Sequence, residues 1–122
     1  MNSSGIAVSA ALNYFKLGVD DLIVLVDDAM LDLGKIRVRR RGSSGGQNGI
    51  RNIIDLVGDE NFVRVKIGVG KKPHENFDLA DWVLSKFDVD AMAKMKKAYC
   101  DVSEAVELIL SGRIEEAMNR YN

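Results

Sequence analysis

Hydrophobic and polar residues repeat with different periods along the chain, and each change of period predicts a new element of secondary structure. Apolar side chains recur at helical spacing over residues 4–17, and Gly18 is suited to end that helix in the left-handed conformation. Residues 22–26 form a short, uninterrupted apolar run, which predicts a strand buried on both faces. Residues 35–41 alternate with a period of two, which predicts a half-buried strand with a basic outer face.

The rest of the chain continues this mixture of periods. A loop, a helix, a strand and a second loop are predicted over residues 42–49, 50–57, 62–68 and 69–78. Three further helices are predicted over residues 79–84, 90–110 and 114–121. This order predicts one mixed α/β domain over residues 1–122. Because three strands are few and the first is too apolar for an edge, we expect the chain to be part of a larger sheet.

Composition and charge limit the classes of protein to which this chain can belong. The 122 residues have a net charge of −1, but residues 33–54 contain basic and no acidic side chains, so the remainder carries a net charge of −7. Such a split suggests an anionic partner. The single cysteine, Cys100, excludes an intramolecular disulfide and fits the reducing cytoplasm. One His and one Cys cannot form a zinc cluster, and no apolar run reaches the roughly 18 residues of a membrane helix.

The segment 42–49 carries the strongest chemical signal. Its glycines allow the backbone to take positive φ and let a ligand approach the amide groups closely. Gln47 and Asn48 stand at the start of the next helix, whose free N–H groups and dipole favour an anion. The pattern fits a phosphate or ribose-phosphate site, and it equally fits a plain strand-to-helix turn capped by Asn48. The P-loop and dinucleotide-binding motifs are absent from it.

The basic strand before this loop is a second signal. Its outward cations, and one more in the following helix, are Lys35, Arg37, Arg39, Arg41 and Arg51. Because no acidic residue lies among them, an RNA- or DNA-facing surface is as good an interpretation as an ordinary charged strand face. Asp27 ends the first strand, where open α/β sheets place their sites, although turns also favour aspartate.

Several motifs in order resemble the bacterial peptidyl-tRNA hydrolase family. They are Met1-Asn2-x-Ser4-Gly5, Asp27-Asp28, Gly34-Lys35-Ile36-Arg37 and Gly42-Ser43-x-Gly45-Gly46-Gln47-Asn48-Gly49, continuing through residues 64–70 and 79–84. The resemblance covers essentially the whole chain. It implies a three-layer α/β/α domain with a mixed sheet, shortened at its N-terminus. It also implies hydrolysis of the ester that joins a stalled peptide to the 3′ ribose of tRNA.

The resemblance further implies roles for individual residues. Asp27 would orient and electrostatically support a histidine base, and Asn2 would bind the peptide end and help place the attacking water. Gln47 and Asn48 would contact the tRNA end beside the ester, and Met1 would line the site. Phosphate contacts would fall to Lys35, Arg37, Arg39, Arg41 and Arg51. The partner would be tRNA or peptidyl-tRNA, with no metal, cofactor or membrane, in a cytoplasmic family whose members are usually monomers.

Two departures from the family pattern affect the expected activity. The family carries a glycine-rich strand and a helix with the catalytic histidine ahead of the segment that matches Met1, where this sequence starts. The usual Gly-Gly-His-Asn-Gly reads Gly-Gly-Gln-Asn-Gly here, and Gln47 cannot titrate near neutral pH. The one histidine, His74, is expected to be solvated in a polar loop. We therefore expect the family's site geometry with little or no hydrolysis by this chain alone.

Three hypotheses follow for the function. The first is a peptidyl-tRNA hydrolase without its N-terminal part. The second is a hydrolase-like module that binds RNA without catalysis, which the basic strand and Gln47 favour. The third is a fragment that pairs its exposed sheet edge with another copy of itself.

Overall fold

The computed structural model describes residues 3–70 and 89–122, which form a mixed α/β fold, as predicted. The helices in this part of the chain are α1 (Ser4–Phe15), α2 (Asn48–Val57), α3 (Val89–Leu110) and α4 (Ile114–Tyr121), with a 3-10 turn at Val19–Asp21. The strands are β1 (Ile23–Asp28), β2 (Ile36–Arg39) and β3 (Val63–Gly68), and they form a sheet in the order β1-β3-β2. The predicted helix over 79–84 and most of the loop before it lie outside the described residues.

The first strand differs from its prediction in two ways. β1 extends through Asp27 and Asp28, beyond the apolar run 22–26 from which the strand is predicted. It lies at an edge of the sheet formed by the described strands, and the expectation of burial on both faces is wrong. Val24 and Val26 are buried, whereas Leu25 between them is 48% exposed because alternate side chains of a strand point to opposite faces.

The end of α1 also differs from its prediction. The helix stops at Phe15, and Lys16 takes the left-handed conformation with φ 55°. Leu17 N–H then donates to Leu12 C=O at 2.8 Å, which closes the last turn. Gly18 is extended, with φ −107°, so the residue expected to form this cap serves instead as the start of the next turn.

The described residues divide into two compact units. One unit contains residues 3–26 and 39–64, and a cluster of its buried hydrophobic residues is formed by Val24, Val26, Ile50, Ile53 and Phe62. Within it α1 packs on α2 at Gly5, whose N–H donates to Asn52 Oδ1 at 2.7 Å. The close approach of the two helices depends on Gly5, since a Cβ there would meet the Asn52 backbone carbonyl and lie 2.7 Å from Asn52 Oδ1.

The other unit contains residues 27–38, 65–70 and 89–122. Its long helix α3 buries a stripe formed by Met95, Ala98, Val102 and Ala105. The larger side chains of Met92 and Tyr99 on the same helix are exposed. The Asn122 side chain pairs with the β2 backbone, accepting from Val38 N–H at 2.8 Å and donating to Val38 C=O at 2.9 Å. No helix in the described part of the chain is long and apolar enough to cross a membrane.

The Gly5 contact yields a stability prediction. Replacing Gly5 by alanine forces a methyl group into Asn52, so we expect Gly5→Ala to lower the free energy of unfolding by about 1–3 kcal/mol. Gly18→Ala is the matched control, because Gly18 has no neighbour within 4 Å of an added Cβ and a negative φ. Urea denaturation followed by circular dichroism measures both. Equal stability of the two variants would contradict the packing described for α1 on α2.

Candidate functional site

The glycine-rich loop, which we define as residues 42–47, is held in a conformation that only glycine adopts easily. Gly42, Gly45 and Gly46 have φ angles of 143°, 58° and 87°. At such angles a side chain is strained, so these positions depend on glycine. Inside the loop, Gln47 N–H donates to Ser44 C=O at 3.1 Å and Gly46 N–H donates to Ser44 Oγ at 3.4 Å. The loop therefore turns tightly just before α2.

Gln47 forms the N-cap of α2. Its backbone is extended, its Oε1 accepts from Ile50 N–H at 2.9 Å, and its C=O accepts from Arg51 N–H at 3.0 Å. The interpretation with Asn48 as the cap is therefore wrong, since Asn48 is the first helical residue and is exposed. A glutamine can reach the N3 amide in the way that the usual shorter caps do. Gln47 thus has a structural role at the start of α2.

Arg64, on β3, is a residue of this site that the sequence reasoning missed. It is 1% exposed, and its guanidinium lies 4.3 Å from the ring centre of Phe62. It donates to the carbonyls of Gly42 and Ser43 in the loop and to those of Glu60 and Phe62 at the entry to β3. Burial lowers the pKa of Arg64, and the Glu60 carboxylate partly offsets this. The signal available in the sequence was the spacing of Arg64 two residues after Phe62, which places both side chains on the same side of the strand.

A cleft of about 210 Å³ opens beside the loop. It is lined by Ser43, Ser44, Arg51, Ile54 and Glu60. Two serines and an exposed arginine offer donors suited to a phosphate group, while Glu60 limits the net positive charge. Of the predicted phosphate contacts, the same unit contains Arg39, Arg41 and Arg51, all exposed.

The remaining cations of the basic strand line a separate groove in the other unit. Lys35 and Arg37 are exposed, and the groove of about 510 Å³ is completed by Met30, Leu31, Asp32, Ile36, Arg120, Tyr121 and Asn122. Arg120 was not predicted, but it lies 3.6 Å from Glu116 and 3.9 Å from Glu104. Burial and a hydrogen bond to Glu104 raise the pKa of Tyr121. The groove therefore combines three cations with the carboxylate of Asp32, and one of the cations, Arg120, lies close to two further carboxylates.

The two aspartates at the end of β1 have different surroundings. Asp28 Oδ1 accepts from Met30 N–H at 2.8 Å, and its Oδ2 lies 4.0 Å from Lys66 Nζ. Asp27, the predicted catalytic residue, is half-buried one position earlier on the strand. Met1, Asn2 and His74 lie outside the described residues. Within residues 3–70 and 89–122, no group of three His, Cys, Asp or Glu side chains is arranged to hold a metal ion.

The fold and the loop together define an α/β protein with a basic strand and a glycine-rich strand-to-helix turn. The model of the peptidyl-tRNA hydrolase family matches residues 1–122, and the chain belongs to that family.

Individual relatives agree with this membership. The chain is 48% identical over 122 residues to a peptidyl-tRNA hydrolase of Lachnospira eligens and 43% identical to one of Thermotoga maritima. All of the chain is covered in both comparisons, but only 65% of either relative. The crystal structure of peptidyl-tRNA hydrolase from Acinetobacter baumannii superposes with a TM-score of 0.89 at 28% identity, covering the whole chain and 61% of that protein. The chain thus spans about 65% of the length of these curated relatives.

The cap formed by Gln47 predicts a change in stability. We expect Gln47→Ala to lower the free energy of unfolding by about 0.5–2 kcal/mol, because Ile50 N–H loses its acceptor. Gln47→Ser is the control, since serine also caps helices well, and it should recover most of the loss. Chemical denaturation measures both variants. A Gln47→Ala variant as stable as the original chain would contradict the cap.

Proposed function

We propose that this protein is a peptidyl-tRNA hydrolase, acting in the cytoplasm on the ester between a peptide and the 3′ ribose of tRNA. Its membership of the family over all 122 residues supports this assignment. The single structural observation that carries it is the glycine-rich loop, which leads from the basic strand β2 to the N-terminus of α2. That junction combines cations, hydroxyls and a helix N-terminus, all of which favour a phosphate-bearing ligand.

We propose the following roles in the reaction. Water attacks the ester carbonyl, a C–O bond to water forms, and the bond to the ribose 3′ oxygen breaks with transfer of a proton to that oxygen. Asp27 orients and supports the base that takes the proton from water, and Asn2 helps to place the water. Asn48 binds the tRNA end beside the ester, Gln47 assists it, and Met1 lines the site.

The 122-residue chain alone is proposed to hydrolyse slowly. Its one histidine is His74, which the family pattern does not assign to the site. Loss of a positioned general base costs about 10²–10⁴-fold in rate.

Release of labelled peptide from peptidyl-tRNA tests this proposal. We expect the 122-residue chain to turn over about 10²–10⁴-fold more slowly than a full-length relative such as the Thermotoga maritima protein. Turnover at the relative's rate that is abolished by Asp27→Asn would contradict slow hydrolysis while supporting the site. Turnover unaffected by both Asp27→Asn and Asn48→Ala would contradict the proposed site itself.

A second candidate function is RNA binding without catalysis. The observation that favours it is the use of Gln47 as a helix cap at the position where the family usually has a titratable histidine. This function requires the same cationic residues, since they would contact tRNA phosphates in either case.

The salt dependence of tRNA binding tests the basic strand. The exposed pair Arg37 and Arg39 should contact phosphates, so we expect Arg37→Gln plus Arg39→Gln to weaken binding. Each lost contact should reduce the slope of log K against log salt by about one. The control Lys96→Gln plus Lys97→Gln removes the same charge from the exposed surface of α3. Equal slopes for the two double variants would contradict a specific role for the strand.

A further inference from the structure

We propose that Arg64 is a positioning residue that holds the glycine-rich loop in the conformation presenting Gln47 and Asn48 to RNA. The claim that Arg64 holds the loop rests only on contacts within the unit of residues 3–26 and 39–64. The part that concerns RNA rests on the proposed function.

The guanidinium of Arg64 joins two segments that are distant in sequence. Nη1 donates to Gly42 C=O at 2.8 Å and to Ser43 C=O at 3.3 Å. Nη2 donates to Glu60 C=O at 2.5 Å and to Phe62 C=O at 3.2 Å. Because the guanidinium is planar and rigid, its two nitrogens fix the start of the loop relative to the entry of β3.

The surroundings of Arg64 favour a role beyond simple stability. The group is buried among carbonyl oxygens, and no atom of residues 3–70 or 89–122 pairs with its Nε. Taking a charge out of water is costly, and a buried polar atom without a partner adds to that cost. Buried ionic groups can often be replaced by apolar residues of similar volume without loss of stability. A buried arginine with these contacts is therefore better explained by what it holds in place.

The contacts continue from Arg64 to the start of α2. Gly42 and Ser43 are held directly, and the next residue, Ser44, accepts from Gln47 N–H through its carbonyl and from Gly46 N–H through its hydroxyl. Gln47 in turn caps the helix. The glycines within the loop allow many backbone conformations, so the loop needs an external anchor to select one. Arg64 supplies that anchor at the end where the loop begins.

Hydrogen exchange of individual amides tests this role without any ligand. The first variant is Arg64→Lys, which keeps the positive charge but lacks the rigid fork of donors. We expect the amides of Gln47 and Ile50 to exchange about tenfold faster or more, since the loop loses hydrogen bonds to a charged group. The control Leu12→Ala removes a buried side chain of the same unit far from the loop in sequence, and its effect should not concentrate at these two amides.

The outcomes of this experiment are distinct. Unchanged exchange at Gln47 and Ile50 in folded Arg64→Lys would overturn the proposal. Faster exchange spread over the whole unit, similar to that of Leu12→Ala, would also overturn it. Arg64→Met is the second variant, and it is measured in the same way if the lysine variant does not fold. If neither variant folds, Arg64 acts through overall stability and the proposal is overturned.

Binding of unacylated tRNA supplies the functional readout. We expect Arg64→Lys to raise Kd about tenfold while the salt slope stays unchanged, because a buried residue makes no phosphate contact of its own. If Arg64 acted only through stability, the affinity of a variant that stays folded would not change. Unchanged affinity in the folded variant would overturn the link to RNA. If the original chain does not bind tRNA, the proposed function fails, whereas the exchange measurement still decides whether Arg64 holds the loop.

Discussion

The guanidinium of Arg64 is surrounded by backbone carbonyls of the glycine-rich loop and of the segment before β3. Three residues of the loop are glycines at positive φ, and Ser44 accepts hydrogen bonds from Gly46 N–H and Gln47 N–H within it. A flexible loop of this kind can approach a ligand closely only if something rigid holds it, and the buried arginine meets that requirement.

The start of α2 depends on this arrangement. Gln47 caps the helix with its side chain, and Asn48 follows it as an exposed first residue. A residue that caps a helix is fixed in rotamer, so its neighbours are presented in a defined direction. Glutamine at this position cannot titrate near neutral pH, but its side chain gives the helix a well-formed start. This combination is consistent both with a hydrolase and with a module that only binds RNA.

Much of this fold could be predicted from periodicity. The alternating strand over 62–68 and the helices over 50–57 and 114–121 were found nearly at their observed bounds, because each has one clearly apolar face. The pattern failed where backbone hydrogen bonds determine the end of a helix. At the end of α1, Lys16 takes the left-handed conformation that was expected of Gly18. It also failed at Leu25, since a run of apolar residues does not reveal which face of a strand is covered.

The site was predictable only in part. Glycine content and basic charge located the loop and its cations, but nothing near Arg64 in the sequence indicated that it contacts the carbonyls of Gly42 and Ser43, about twenty residues earlier. Contacts between distant segments require the three-dimensional fold, and a charged side chain in a strand is ordinarily placed on the outer face. The same limit applies to Arg120, which reaches the groove with Lys35 and Arg37 only through the packing of α4.

The most direct test of the central claim is an NMR titration of the 15N-labelled chain with a minihelix of the tRNA acceptor stem and its single-stranded end. The account predicts that the largest shift changes fall on the amides of Gly45, Gly46, Gln47 and Asn48, with further changes at Arg39 and Arg41. Saturable binding whose shift changes lie on α3 and leave the glycine-rich loop unaffected would contradict it.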